Sequence, residues 1–257
     1  MIYLPGSGIL HRLHPLTKLA AALLIVVAAS MFPSPPLLLG ALALLLLLAL
    51  AAGVARRLLP IMVSMFLPLI ASLFLIQGVL FPPANATTLV ALGPVRLTIE
   101  GLAFAGLIAG RLLVTGIALL LTLLTTHPAD LVVGLGSIGL PRSAGYVLLV
   151  ALQLVPDMVA RAGAILEAQQ SRGLEVGRGL ARLRALPALV GPLLVGALSD
   201  VEERAMAIEA RGFLSPGPKT SLRTLQDDAV QRAARLLFVL GVVAVVVLRV
   251  WMLRANP

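Results

Sequence analysis

The chain of 257 residues is 60% apolar and 12% charged, its mean hydropathy is +1.05, and its net charge is +9. Soluble domains are about half apolar and about a quarter charged, so this composition excludes an ordinary soluble domain and indicates a protein solvated by lipid. The lack of cysteine excludes disulfides and thiolate metal sites, and the low aromatic content argues against a nucleic-acid partner. The basic excess is typical of segments that flank membrane spans on the cytoplasmic side.

Four membrane spans are predicted in residues 1–126. The apolar runs that predict them cover residues 16–32, 37–54, 59–81 and 101–124. Each run approaches the ~20 residues that an α-helix needs to cross about 30 Å of hydrocarbon. Arg56 and Arg57 separate the second run from the third. Lys18 lies near the start of the first run, and its amine is expected to extend to the membrane interface.

Residues 82–100 have the pattern of a β-hairpin. Two short extended segments, 88–92 and 95–99, flank Gly93-Pro94, a pair typical of turns. Basic residues lie before the first span and between the second and third spans, and the positive-inside tendency places both segments in the cytoplasm. The hairpin is then expected outside the cell.

Charged residues concentrate in residues 127–232, which hold every acidic residue except Glu100. The same orientation places this stretch in the cytoplasm. A last apolar run, 236–251, predicts a fifth span within the C-terminal segment 233–257. We therefore predict an all-α integral membrane protein with about five transmembrane helices and a cytoplasmic region that contains two long amphipathic helices.

Apolar residues recur every three or four positions in both of these helices, over residues 148–166 and 190–208. This spacing makes one apolar stripe along each helix, and we expect each stripe to pack on a neighbouring helix. Oppositely charged side chains four residues apart are expected to support the polar faces. The pairs are Asp157–Arg161 and Asp200–Arg204.

Both helices end in the same three-residue pattern, Ser171-Arg172-Gly173 in the first and Ala210-Arg211-Gly212 in the second. Ordinary capping explains one such ending, since glycine adopts the left-handed conformation that closes a helix and the helix dipole favours a cation in the last turn. Two copies on two amphipathic helices favour a functional role.

The paired endings resemble those of the transmembrane T component of energy-coupling-factor transporters, the family that includes the membrane subunit of cobalt and nickel uptake systems. That family has two Ala-Arg-Gly motifs at the ends of two cytoplasmic coupling helices. Residues 210–212 match the second motif, and residues 171–173 match the first with Ser171 in place of alanine, which keeps a small residue. Residues 11–19, 140–142 and 202–205 are also similar to the family, so the resemblance covers essentially the whole chain.

This resemblance implies a non-catalytic subunit in a bacterial or archaeal plasma membrane. Two ABC-type ATPase subunits would bind it, one at the end that carries Arg172 and one at the end that carries Arg211. A separate small membrane subunit would capture a vitamin or a transition-metal ion, and the sequence leaves that choice open. Arginine presents a rigid fork of donors to carboxylates and carbonyls, and the glycine permits close approach of the backbone.

The fourth span contains a second candidate site for a partner subunit. Gly106 and Gly110 form a small-xxx-small pair, and Arg111 follows within the apolar run. Arg111 has a competing interpretation, in which its side chain extends to a membrane interface or donates to a carbonyl inside the bundle. Neither interpretation is preferred from the sequence.

Two other functional classes need features that can be sought in the sequence. A membrane-embedded enzyme would need polar catalytic residues within the spans, and a self-sufficient permease would favour an internal repeat. The sequence shows neither, and it contains no phosphate-binding loop, so no catalytic residue and no cofactor are expected in this chain. The histidines at 11, 14 and 127 are scattered along the sequence, and no metal site is expected from them.

Overall fold

The computed structural model describes residues 8–32, 34–77, 88–92, 95–174, 186–213, 215, 225 and 227–255. Within these ranges the elements are α1 (Ile9–Arg12), α2 (Pro15–Met31), α3 (Pro35–Ala51), α4 (Ala55–Leu75), β1 (Thr88–Leu92), β2 (Val95–Thr98), α5 (Ile99–Thr125), α6 (Pro128–Ser137), α7 (Arg142–Ser171), α8 (Leu186–Ala210) and α9 (Ala229–Ala255). The predicted all-α membrane architecture is confirmed.

The chain divides into two compact units. Residues Ile2–Gly139 and Leu225–Pro257 form the first, called here the bundle unit, which contains α1–α6, the hairpin and α9. Residues Leu140–Thr224 form the second, called here the helix-pair unit, which contains α7 and α8.

Helix α5 is the centre of the bundle unit, because it packs against α2, α3 and α4. Small residues along α5 permit these close contacts, and a Cβ added at Gly116 would clash with the ring of Phe66 on α4. The core contains Leu45, Leu58 and Val114, all at most 2% exposed. Helix α9 packs along α2 on another side of the bundle.

All five predicted spans are present as helices, with shifted ends. Helices α4, α5 and α9 are long and apolar enough to cross a membrane, and so is α7. Helices α2 and α3 have 17 residues each, which is the lower limit for a span. The chain is therefore a multi-pass membrane protein. The cytoplasmic placement of α7 stays a prediction.

Two span boundaries differ from the sequence-based prediction. Helix α4 begins at Ala55 rather than at residue 59, so Arg56 and Arg57 lie in its first turn, and residues 78–81 of the predicted span lie outside the described part of the chain. Helix α9 begins at Ala229 rather than at residue 236 because its polar first turns are held by side-chain contacts with α2.

The hairpin has the predicted segments. Strands β1 and β2 pair antiparallel, with an irregular register between Thr88 and Val90. The turn at Gly93-Pro94 lies outside the described residues. Thr98 ends β2 and begins α5, since its Oγ1 accepts a hydrogen bond from the Gly101 N–H at 3.3 Å. The external location of the hairpin stays a prediction.

Helices α7 and α8 are described over their whole length, and neither has a buried residue. The prediction that their apolar stripes pack on a neighbouring helix is wrong for most stripe positions, since Val159 is 69% exposed and Val201 is 64% exposed. On α7, the pocket between the two helices is lined by positions adjacent to the stripe, Tyr146, Val150 and Leu154, whereas on α8 it is lined partly by the stripe itself. The described residues therefore leave most of the α7 stripe uncovered, whereas Ala197, Val201, Ala205 and Ile208 of the α8 stripe face the pocket between the helices.

Candidate functional site

The end of α7 is closed by the backbone of Gly173. Gly173 has a φ of 91°, its N–H donates to the Gln170 carbonyl at 2.9 Å, and the N–H of Leu174 donates to the Gln169 carbonyl at 3.0 Å. This pair of bonds is the Schellman motif, which satisfies carbonyls that a helix end leaves unpaired. The predicted left-handed glycine is therefore present.

The end of α8 has the same geometry. Gly212 has a φ of 62°, its N–H donates to the Glu209 carbonyl at 2.9 Å, and the N–H of Phe213 donates to the Ile208 carbonyl at 3.1 Å. The two helix ends thus carry matching Schellman motifs at matching positions of the repeated sequence pattern.

The arginine side chains take no part in this closure. Arg172 and Arg211 are both exposed, and neither guanidinium donates to a residue that the structure describes. Ser171 and Ala210, which precede them, are exposed as well, and the Ser171 hydroxyl donates back to the Glu167 carbonyl at 3.1 Å. Because backbone bonds close each helix, no side-chain capping bond accounts for the two arginines among the described residues.

The helix-pair unit holds these two ends apart. Tyr146, near the start of α7, packs against Phe213 at the end of α8 with ring centroids 5.4 Å apart. Arg161, in the middle of α7, forms a salt bridge with Asp200 of α8 at 2.8 Å. The helices are therefore antiparallel over this contact, and Arg172 and Arg211 lie on opposite sides of it.

The salt bridge differs from the predicted charge pairs. Both i,i+4 pairs were expected within single helices, whereas Arg161 and Asp200 join one helix to the other. Next to this contact, α7 and α8 line an open apolar pocket of about 280 Å³. The helix pair is thus held by one polar contact and an incompletely filled apolar one.

The second candidate site lies on α5 in the bundle unit. Gly110 faces α3, where an added Cβ would lie 3.2 Å from Leu38 Cδ1, so its small size serves packing within the chain. No atom of the described residues would lie within 4 Å of a Cβ at Gly106. The Nε of Arg111 is buried and has no hydrogen-bond partner among the described residues. Gly106 is thus open, whereas the Arg111 Nε is enclosed by the chain without a partner among the described residues.

A polar cluster at the start of α2 was not predicted from the sequence. Lys18 is 8% exposed, and its Nζ donates to the Thr125 carbonyl at 2.8 Å instead of extending into solvent. Its neighbour His14 is 3% exposed and accepts the Leu16 N–H through Nδ1 at 3.3 Å, which caps α2. The sequence does contain a sign of this contact, which is a lysine within an apolar run. A lysine that is buried there needs a hydrogen-bond acceptor for its charged amine.

Helix α9 completes this cluster. The side chain of Gln231 accepts the His14 backbone N–H at 2.6 Å, and Arg235 lies 3.4 Å from His14 Nδ1. Arg235 also donates to Asp227 at 3.1 Å. Burial lowers the pKa of His14 from 6.5, an effect that Asp227 opposes and Arg235 reinforces. The cluster joins the N-terminal parts of α2 and α9.

The three histidines are not scattered in the fold, because His11, His14 and His127 line one cavity of about 70 Å³ with Lys18 and Asp130. They do not form a metal-binding group, since the described residues contain no cluster of three or more histidine and acidic side chains with suitable geometry. The cavity therefore belongs to the junction of α2, α5 and α6.

Known proteins are similar to this chain over most of its length. The family model of the cobalt transport protein CbiQ matches residues 6–222. The energy-coupling factor transporter transmembrane protein EcfT of Thermosediminibacter oceani is 26% identical over 247 residues, 90% of each chain. The EcfT protein of Listeria innocua is 30% identical over 239 residues, 87% of this chain and 88% of that protein.

A third relative has a different name. A putative ABC transporter ATP-binding protein of Bifidobacterium longum is 28% identical over 255 residues, which are 93% of this chain but 32% of that protein. Taken together, the family match and the EcfT relatives show that this chain belongs to the transmembrane T component family of energy-coupling-factor transporters. The chain is thus a membrane component of a transporter.

Proposed function

We propose that this protein is the coupling subunit of an ATP-driven energy-coupling-factor uptake transporter. Two ABC-type ATPase subunits bind the ends of α7 and α8 and hydrolyse ATP. The chain passes their movement to a small membrane subunit that captures the substrate, a vitamin or a transition-metal ion. The ends of α7 and α8 then face the cytoplasm.

The observation that carries the proposal is the pair of matching helix ends. Each end is closed by its own backbone, and each presents an exposed arginine, Arg172 or Arg211, with no partner among the described residues. A guanidinium donates in a planar fork to carboxylates and backbone carbonyls, and the left-handed glycine beside it lets a partner backbone approach. Two equivalent ends on opposite sides of the helix contact match two ATPase subunits.

The Bifidobacterium longum relative supports the association with ATPases. It is named as an ATP-binding protein, and the segment similar to nearly all of this chain makes up 32% of its length. A segment of this kind and the named ATP-binding function thus occur in one polypeptide. In the present chain, the ATP-binding function would be supplied by separate subunits.

The small membrane subunit has two surfaces to contact. The apolar stripes of α7 and α8 are exposed, as Val159 and Leu194 illustrate at 69% and 58%. On α5, Gly106 has open space beside it and the buried Arg111 Nε has no described partner. A helix from the partner subunit would fill the space beside Gly106, and its approach would let Arg111 turn to an acceptor on that subunit, because unpaired polar groups are costly within a membrane.

The test is the recovery of ATPase subunits with purified variants. We expect Arg172→Glu and Arg211→Glu each to remove charge-assisted hydrogen bonds worth about 1.5–3 kcal/mol, or roughly 10- to 150-fold in affinity. The double variant loses ATPase association and uptake almost completely. Arg254→Glu is the matched control, since Arg254 also lies in the last turn of a helix but outside the repeated pattern.

If the two arginines only cap their helices, a different result is expected. Helix capping alone would leave both ATPases bound to the folded double variant and would leave uptake unchanged. That result would remove these arginines from the coupling mechanism. Circular dichroism and gel filtration of each variant establish that it is folded before recovery is compared.

A further inference from the structure

The salt bridge between α7 and α8 lies beside a glycine of α8. Nη2 of Arg161 lies 2.8 Å from Oδ2 of Asp200, and both side chains are partly exposed. Gly196 lies one turn before Asp200 on α8, and a Cβ there would be 2.8 Å from Nη1 of Arg161. The guanidinium thus occupies the space that a larger residue at position 196 would fill.

The position of this contact along the two helices is symmetric. Arg161 precedes Arg172 by eleven residues, and Asp200 precedes Arg211 by eleven residues. Eleven residues are about three helical turns, and because an α-helix rises about 1.5 Å per residue, each arginine lies about 16 Å from the salt bridge along its own helix. The contact is equidistant from the two helix ends.

Because α7 and α8 run in opposite directions, the salt bridge lies between the two arginine ends. The contact of Tyr146 with Phe213 and that of Arg161 with Asp200 show that the helices run antiparallel here. Arg172 and Arg211 therefore lie on opposite sides of the salt bridge, and their separation along the helices is at most about 33 Å. A change of register at the salt bridge would move one end relative to the other.

We infer that Arg161, Asp200 and Gly196 form a pivot that fixes the spacing between the two arginine ends. The inference rests on the proposed function, because that spacing matters only if each end holds an ATPase subunit. A partly exposed ion pair contributes little to stability, so adhesion alone does not explain it. It does select one register, since sliding α7 along α8 separates the charges, whereas the apolar contact beside it tolerates sliding.

The spacing can be measured directly, because the chain has no cysteine of its own. Spin labels at Glu167→Cys and Met206→Cys lie on exposed positions five residues before each arginine. In Asp200→Arg, we expect the distance distribution between the labels to broaden and its mean to shift by about 5 Å, one helical turn, because packed helices change register in turns. In the double variant Arg161→Asp, Asp200→Arg, the original distribution returns.

The glycine provides an independent variant with a matched control. Gly196→Leu displaces the Arg161 guanidinium and should alter the distance distribution as Asp200→Arg does. Gly163→Leu, on α7, adds a Cβ with no described atom within 4 Å and should leave the distribution unchanged. Both substitutions favour the helix, so a difference between them reports the contact and not helix stability.

The reconstituted complex tests the consequence for coupling. Asp200→Arg and Gly196→Leu should retain ATPase subunits but lose most of the uptake per ATP hydrolysed, and the charge-swapped double variant should recover it. Unchanged distances in the single variants would overturn the pivot, as would changed distances with normal uptake per ATP. A wild-type chain that recovers no ATPase subunits would instead overturn the proposed function, a result that the label distances do not affect.

Discussion

In the bundle unit, apolar side chains from four helices bury one another, whereas in the helix-pair unit neither helix has a buried residue. Val114 on α5 is 0% exposed and Val159 on α7 is 69% exposed, although both lie in helices long and apolar enough to cross a membrane. Similar composition thus produces a self-packed core in one unit and uncovered surfaces in the other.

The difference separates residues that specify the fold from residues that are available to partners. Two glycines illustrate this division, since Gly116 is filled by side chains of α4 while Gly163 on α7 has no described atom within 4 Å of an added Cβ; the open Gly106 and the crowded Gly196 depart from it. We therefore expect substitutions in the bundle unit to change stability. Substitutions on the uncovered faces of α7 and α8 should change assembly.

The largest effect on stability is expected at Gly116. Gly116→Leu would force apart α5 and the Phe66 ring on α4, and overpacking of this kind costs about 1–3 kcal/mol or more. Gly163→Leu is the matched control, because it enters open space and replaces a poor helix former. Apparent melting temperatures of the detergent-solubilised proteins provide the comparison. Equal losses in the two variants would contradict the proposed division.

A smaller loss is expected at Lys18. Lys18→Met removes the donor from the Thr125 carbonyl at the end of α5, and an unpaired buried acceptor costs about 1–3 kcal/mol. Arg57→Met removes an equal charge from an exposed position of α4 and should change stability by less than about 0.5 kcal/mol. If the amine of Lys18 extended to the interface, both variants would behave alike.

The sequence predicted the spans well because each is a long apolar run separated from the next by prolines or arginines. It also predicted the two left-handed glycines, since Gly173 and Gly212 follow periodic helices and their closure depends only on local backbone bonds. Features of this kind are encoded within a few consecutive residues. They need no knowledge of how the helices pack.

The contacts between distant segments could not be predicted in this way. His14 and Gln231 are separated by 217 residues, and nothing local to either indicates that they bond. Arg161 has an acidic residue four positions before it, so local pairing was the natural prediction, yet its partner is Asp200 on α8. The short helix α6 was also missed, although His127 and Pro128 are a recognisable helix start.

The pH dependence of the bundle unit should come partly from His14. Its pKa is lowered from 6.5 by burial, so the folded state favours the neutral imidazole. The stability that this group contributes is then present above pH 6.5 and is lost as the pH falls below 6.5 through the folded pKa. We expect the apparent melting temperature to fall with pH in that window.

His14→Asn is the control for this effect, because asparagine can still cap α2 but does not titrate there. The variant should show a shallower loss of stability below pH 6.5 than the wild-type protein. An equally steep loss would show that His14 is not the source of the pH dependence.

The smallest effect on stability is expected at Val159, and it tests the comparison most directly. Val114→Ala should cost about 1–3 kcal/mol by leaving a cavity in the bundle core, whereas Val159→Ala should stay within about 0.5 kcal/mol because its side chain is 69% exposed.

Recovery of the substrate-capturing subunit with Val159→Ala then shows whether that subunit or lipid covers the apolar stripe of α7. If that subunit covers the stripe of α7, Val159→Ala lowers its recovery from the purified complex while stability is unchanged. If lipid covers the stripe, recovery stays at the wild-type level, since alanine and valine are both compatible with a hydrocarbon environment.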